Sequence, residues 1–293
     1  MAYSSGNNSP GVLTTFRKFP GLLKNQDDIG FPGISSLELV RVSAVIITFN
    51  EEAIIKETLN RLYWCNEIII IDSGSTDKTV EICKEFGCLL FYRSFNGFGE
   101  QKKFGVSKAN NDWVLCLDAD EVLSDSLITE IRSEINKVDT PYAGFAFPRN
   151  LVFMGKIFKY GKEANSPIIR LFNKQNGNWD GACVHEKVIL NGPVKKLNNK
   201  LLHYSYHDYS QFLSKINLYS TLGAKKLYAL NAHKNKLIVL LGLPFNFFKY
   251  YIIDRNFLNG YRGFAWSLLN TIYHFVKYLK LNEIRQSSSS TAF

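Results

Sequence analysis

The 293-residue chain has five cysteines, an odd number, and no C-x-x-C pair. That argues against a disulfide framework. Cys65, Cys83, Cys88, Cys116 and Cys183 then read as small apolar residues in a reducing compartment. No repeat of useful length is present, and glycine and proline are at ordinary levels, which excludes collagen-like and low-complexity classes. Around Arg17, Lys18 and Lys24 no apolar run is long enough for a secretory signal, so the expected location is the cytoplasmic side of a membrane. A spanning helix needs about 20 apolar residues. Residues 237–253 offer 17, broken by Pro244, Asn246 and Lys249. Acids are scarce relative to bases, 26 against 35, and the net charge of +9 points to an anionic partner: nucleic acid, a lipid surface or a phosphate-bearing substrate.

What is present is enough apolar residue, 46%, to build a full core at this length. The positive charge is concentrated. Residues 231–285 hold eight Lys/Arg against Asp254 and Glu283, which is +6 of the +9. Residues 1–36, rich in Gly, Ser, Asn and Pro, read as a flexible lead-in, and 287–293 as a frayed tail.

Between them, Val42–Ile47 reads as a buried strand, with Asn50 as the N-cap of a following helix and Glu51 and Glu52 favourable to its dipole. Glu67 is followed by four isoleucines, a strand buried on both faces. Cys88–Tyr92 and Trp113–Leu117 read as further strands, with helices before each. This alternation predicts an α/β fold with a mostly parallel, Rossmann-like sheet over 37–205. Ligands bind beyond the carboxyl ends of such strands. Thr48–Glu52, Asp72–Asp77 and Asp118–Glu121 all fall there. Tyr142–Phe147 and Pro167–Phe172 are strand-like, with a loop over the site between them. From 206 to 286 the chain reads as helical, basic and aromatic.

Asp118 and Asp120, one residue apart at a strand end, can share a hard divalent cation. Mg²⁺ takes few carboxylates and is completed by substrate phosphates. His203 and His207 stand four apart, a metal-like spacing on a helix. No third ligand is evident nearby, and the interleaved tyrosines fit a core or interface face.

Val45-Ile46-Ile47-Thr48-Phe49-Asn50-Glu51-Glu52, Asp72-Ser73-Gly74-Ser75-Thr76-Asp77 and Leu117-Asp118-Ala119-Asp120-Glu121, in this order, resemble the family 2 glycosyltransferases of GT-A fold. With Val184-His185-Glu186 they resemble the bacterial glucosyltransferases of lipopolysaccharide core assembly. The resemblance covers 42–205 closely. It implies an inverting transfer from a nucleotide sugar, a UDP-sugar in the first place, to a hydroxyl of a lipid-linked or lipopolysaccharide-core acceptor, with Mg²⁺ or Mn²⁺. Thr48, Asn50 and Glu52 would line the nucleotide pocket, and Asp72 would accept from the base. Gln101 and Lys102 would approach the donor, with Lys102 or its neighbour Lys103 on the diphosphate. Asp118 would face the sugar side and Asp120 the metal, with Glu121 bracing the loop. Glu186 would be the general base, His185 its metal, phosphate or orienting neighbour, and Asp180 the alternative base. Arg170 would bind phosphate or be structural. Relatives often carry an Asp shortly before this arginine, where Asn165-Ser166 stands here.

Twelve Phe/Tyr/Trp between Phe245 and Tyr278, interleaved with Lys and Arg, suit helices lying in an anionic membrane interface. A spanning helix or an ordinary packing face are the alternatives. The sugar-nucleotide motifs argue against nucleic acid as partner. A nucleotidyltransferase would carry a Gly-rich basic loop after the first strand, where Thr-Phe-Asn-Glu-Glu stands. An inactive membrane scaffold fits poorly with intact Asp118, Asp120 and Glu186.

Overall fold

The computed structural model describes residues 39–138, 140–182, 186–206, 208–232 and 235–290. The lead-in read over 1–36 lies outside them, as do His185 and His207. The first half alternates β1 (Val42–Thr48), α1 (Ile55–Asn60), β2 (Glu67–Asp72), α2 (Thr79–Glu85), β3 (Leu89–Tyr92), α3 (Phe98–Lys108) and β4 (Trp113–Asp118). Then follow β5 (Glu121–Leu123), α4 (Asp125–Ile135), β6 (Gly144–Phe153), β7 (Lys156–Ile157), β8 (Ser166–Asn173), β9 (Gly177–Trp179), β10 (Val188–Leu190), β11 (Val194–Lys196) and β12 (Leu201–Tyr206). The chain ends in α5 (Tyr209–Ala229), α6 (Lys236–Phe248) and α7 (Tyr261–Ser290). A π turn over Lys249–Ile253 and a 3₁₀ turn over Asn256–Asn259 link the last two helices.

The main sheet runs β3-β2-β1-β4-β8-β6-β12-β5, with β7 and β11 also paired to β6. Its first four strands are parallel. Beyond β4 the pairings mix, because β8 runs against both β4 and β6. This is the α/β, GT-A type of architecture expected, with a C-terminal helical region.

The isoleucine run of β2 is buried because both faces of the sheet are covered. Ala44 and Ile46 of β1 join Ile68 and Ile70 under Leu59 and the α4 residues Leu127 and Ile131. Val45 and Ile47 join Ile69 and Ile71 under Val106 of α3 and Trp179. α3 lies close to the sheet because position 105 is glycine: a Cβ there would sit 2.3 Å from Val45 Cγ1.

Three local expectations are corrected. Asn50 caps no helix. It adopts φ 55°, and α1 begins only at Ile55, so Glu51 and Glu52 are not in its first turn. The left-handed backbone, which Asn tolerates better than most residues, turns its side chain away from α1. The loop over 148–166 is shorter than expected, because β6 continues to Phe153 and buries Leu151 and Phe153. The 287–293 tail is helical through Ser290, and Ser287 Oγ donates to the Glu283 carbonyl.

The C-terminal helices are fused to the sheet by aromatic packing. The Phe153 ring meets Phe158, Tyr206, Phe212 and Trp266 edge-on, at centroid distances of 5.3–6.1 Å. α7 is tied to α5 by Lys280, whose ammonium donates to Asn217, Ser220 and Thr221.

Candidate active site

Strand order reverses at β1, which lies between β2 and β4, and the crevice of such a sheet opens there. Register brings the polar strand ends together: Thr48 pairs with Asp72, and Ile47 with Asp118. Thr48 is buried, and its hydroxyl has no hydrogen-bond partner among the described residues.

The loops above this row brace one another. Asp72 accepts from the backbone N–H groups of Gly74 and Ser75 at 2.8 and 3.0 Å and from Ser75 Oγ at 2.5 Å. Asn50 Oδ1 accepts from the Thr76 N–H at 2.8 Å, and Glu52 accepts from the Lys78 N–H at 3.0 Å. The motif after β1 therefore stabilises the start of α2. Asp77 serves the same helix, accepting from Thr79 N and Oγ1 at 3.0 and 2.6 Å.

α3 buries Gln101 and Lys102 beside Gly105 and Val106, so the helix turns two polar side chains inward. Gln101 Nε2 ties Ser73 Oγ, at 2.9 Å, to the Arg93 carbonyl at 2.8 Å. Lys102 is fully buried, whereas Lys103 is exposed. The Lys102 ammonium lies 2.8 Å from Asp118 Oδ1 and 2.6 Å from Glu186 Oε1. The first is a charge contact without hydrogen-bond alignment, and the second is a hydrogen bond. Burial is the largest influence and disfavours the Lys102 charge, but Asp118, joined by Cys116 and Glu121, holds the amine protonated above the usual lysine range. Trp179 lies under both buried cations, 4.6 Å from Lys102 and 5.5 Å from Arg170.

Arg170 is almost fully buried and braces Asp118. It donates to Asp118 Oδ2 at 3.0 Å and to both Glu121 oxygens at 2.7 and 2.8 Å. Glu121 also accepts from the Asp118 N–H at 3.1 Å, so it supports the loop as expected. Burial pushes the Asp118 carboxyl up, but Lys102 and Arg170 together hold it well below the carboxylate range.

His203 lies on strand β12, not on a helix, so the helical metal-pair spacing with His207 does not apply. Its Nε2 is 3.4 Å from Asp120 Oδ2. Burial works against the imidazolium, yet Asp120 raises the His203 pKa. Burial likewise raises Asp120, and His203 brings it below its ordinary value. Glu51 has the opposite fate. Burial, then the like charge of Asp120, push its pKa up to about 7, with Asp118 and Asp77 adding and Lys215 of α5 opposing.

The donor set suits a hard cation. Asp118 Oδ1 is buried and lacks an aligned hydrogen bond, and Asp120, with His203 beside it, supplies a second carboxylate. Among the described residues no three such groups form a ready-made cluster, so phosphate oxygens of a ligand would have to complete the shell.

Asp180 is exposed and accepts from the Ala182 N–H at 3.0 Å. It stabilises the turn at Gly181. Sequence reasoning put Glu51 at the ligand-binding edge without a role of its own, set His203 aside as a core or interface residue, and gave Trp179 no role. The signal for Glu51 was its place at the end of β1. For His203 it was the His-Tyr-Ser-Tyr-His run, read with the wrong periodicity.

An uncharacterized glycosyltransferase of Rickettsia bellii (strain RML369-C) is 31% identical over 273 residues, 87% of this chain and 90% of that protein. The lipopolysaccharide core biosynthesis glycosyltransferase LpsC of Rhizobium meliloti (strain 1021) is 26% identical over 247 residues, 82% and 91% of the two chains. Among solved structures, S. aureus TarS 1–349 in complex with UDP-GlcNAc aligns with a TM-score of 0.43 at 13% identity, over 80% of this chain and 81% of that one. Residues 43–197, which span every strand end described above, match Glycosyl transferase family 2. With the rickettsial likeness along most of its length, the chain belongs to glycosyl transferase family 2.

Proposed function

We propose that the protein transfers a hexose, with inversion, from a UDP-sugar to a hydroxyl of a lipid-linked or lipopolysaccharide-core acceptor. The observation that carries this reading is the Lys102 ammonium, which joins Asp118 at the donor side to Glu186. A single-displacement transfer needs one base placed next to the donor site. Glu186 meets that condition through Lys102, whereas Asp180 is spent on its own turn. Lys102 holds one carboxylate oxygen, and the proton of the attacking hydroxyl goes to the other. The kinship with LpsC supports the acceptor class.

Thr48 Oγ1, unpartnered at the end of β1, is placed to bind the nucleotide, and Asp72 to accept from its base. Asp118 and Asp120 would hold Mg²⁺ or Mn²⁺, with His203 beside Asp120. The ion, when bound, neutralises charge on the leaving diphosphate. Lys102 and Arg170 hold Asp118 in place for it.

We place the protein at the cytoplasmic face of a membrane, bound peripherally. Lys236–Ile253 is long and apolar enough to cross a membrane by length and composition, with mean hydropathy 1.4. α6 has no buried residue, but it carries Pro244 within it, and the basic residues around it favour the interface.

The test is a panel of labelled nucleotide sugars with a lipid-linked acceptor. Glu186→Gln should lower transfer by about 10²–10⁴-fold and leave donor affinity unchanged. Near-wild-type turnover in Glu186→Gln with a dead Asp180→Asn would move the base to Asp180.

A further inference from the structure

Three lysines of the catalytic domain lie outside the site, in the hairpin loop from Met154 to Glu163: Lys156, Lys159 and Lys162, all exposed. Between them Ile157 and Tyr160 are exposed too. This loop is clamped to the corner between α6 and α7. Asn259 Oδ1 accepts from the Lys159 N–H at 3.1 Å, and Asn259 Nδ2 donates to the Tyr160 carbonyl at 3.0 Å. Arg262 Nε donates to the Met154 carbonyl at 2.8 Å. Asn256 and Asn259 are buried in the joint. Two glycines let the joint close: a Cβ on Gly161 would lie 2.5 Å from Asn256 Oδ1, and one on Gly263 would lie 1.8 Å from the Asn256 carbonyl.

The corner carries its own exposed apolar groups, Ile253, Phe257, Leu258 and Tyr261, the last 75% exposed. Its basic residues are Arg255 and Arg262, both exposed. Against these five cations stands Asp254, 3.7 Å from Lys162; Glu163 is half-buried.

We propose that loop 154–163 and the α6–α7 corner form one docking surface for an anionic bilayer. The inference rests on the peripheral-membrane reading above and goes beyond it. The anchor is not confined to the C-terminal helices, and the catalytic domain touches the lipid itself. Charge complementarity identifies the occupant: apolar side chains ringed by cations, continuous with the unburied face of α6, match head groups over acyl chains. Because the clamp ties the loop to the corner, the surface also sets how the site is oriented over the membrane from which a lipid-linked acceptor would come.

The experiment is co-sedimentation of the full chain with phosphatidylcholine vesicles, with and without phosphatidylglycerol, at low and high salt. Wild type should bind the anionic vesicles and lose binding as salt rises. The triple variant K156Q/K159Q/K162Q should bind on the order of 100-fold more weakly, since each lysine near the surface is worth about 1 kcal/mol. Its melting temperature should not change, because these side chains are exposed. The triple Lys→Arg variant should bind like wild type, and Tyr261→Asp should weaken binding to both kinds of vesicle. If wild type binds and the triple Gln variant binds equally, the composite surface is overturned while the peripheral reading stands. If wild type binds neither vesicle, both fall. If the triple variant instead breaks a lipid-free dimer, the surface is an interface between copies and the proposal is wrong.

Discussion

The Lys102 ammonium and the Glu186 carboxylate, 84 positions apart in sequence, meet at 2.6 Å inside the protein. No solvent reaches the lysine. A buried cation with two carboxylate partners is costly to break on one side, because the partners are then left unpaired.

Lys102→Met should therefore destabilise by about 3–5 kcal/mol, the range for removing one partner of a buried pair. Thermal unfolding measures it. Lys103→Met, on the exposed side of the same turn, should fall within about 0.5 kcal/mol of wild type. Equal effects at the two positions would mean that Lys102 carries no paired charge.

Gly99 tests how the Glu186 segment is held. Its N–H donates to the Ala182 carbonyl at 3.0 Å, and a Cβ there would lie 2.7 Å from that residue's backbone. Gly99→Ala must push α3 and the loop at Ala182 apart. Overpacking of this kind costs about 1–3 kcal/mol. Lys102 is on the same helix, so kcat should fall at least about tenfold, as misplaced catalytic groups do. A variant with wild-type kcat would show that α3 and the loop can separate without disturbing Glu186.

Glu51 gives a pH dependence. Its folded pKa of about 7 lies above the ordinary 4.5, so the folded state binds the extra proton between these values. Stability should decline as pH rises from about 4.5 to about 7 and stay low above it. Glu51→Gln should remove that slope and melt higher than wild type at alkaline pH, by about 1–3 kcal/mol after allowing for screening. A parallel pair of stability–pH curves would refute the buried acid.

Chelation is the fourth test. Treatment with EDTA should abolish transfer, and Mg²⁺ or Mn²⁺ should restore it. Asp120→Asn should weaken metal-dependent donor binding as well as rate, in contrast to Glu186→Gln. Full turnover in a metal-stripped sample would remove the metal from the reaction.

The strand ends were legible because β1, β2 and β4 are apolar runs that stop at Thr48, Asp72 and Asp118. Two-sided burial forces such a pattern, and the loops after the strands must be polar. Lys102 was not legible as a buried residue, since a lysine on a helix ordinarily faces water and its partners come from β4 and a loop far along the chain. Asn50 misled for a related reason: an Asn before acids reads as a cap until its φ is known. His203 shows how an i,i+4 spacing loses its meaning when the segment is a strand.

Trp266 reaches the sheet from the last helix, closing a cluster with Phe153, Phe158 and Phe212. Those partners are synthesised well before it. Chain elongation at about 5–20 residues per second leaves them waiting for several seconds. With α7 still in or near the ribosome, the tip of β6 lacks the Trp266 part of its cover, and Phe153 and Phe158 are left partly open to water. The cluster around Phe153 therefore closes only once α7 has been made. For the same reason, cutting away the C-terminal helices would uncover Phe153 and Phe158 beside the end of β6.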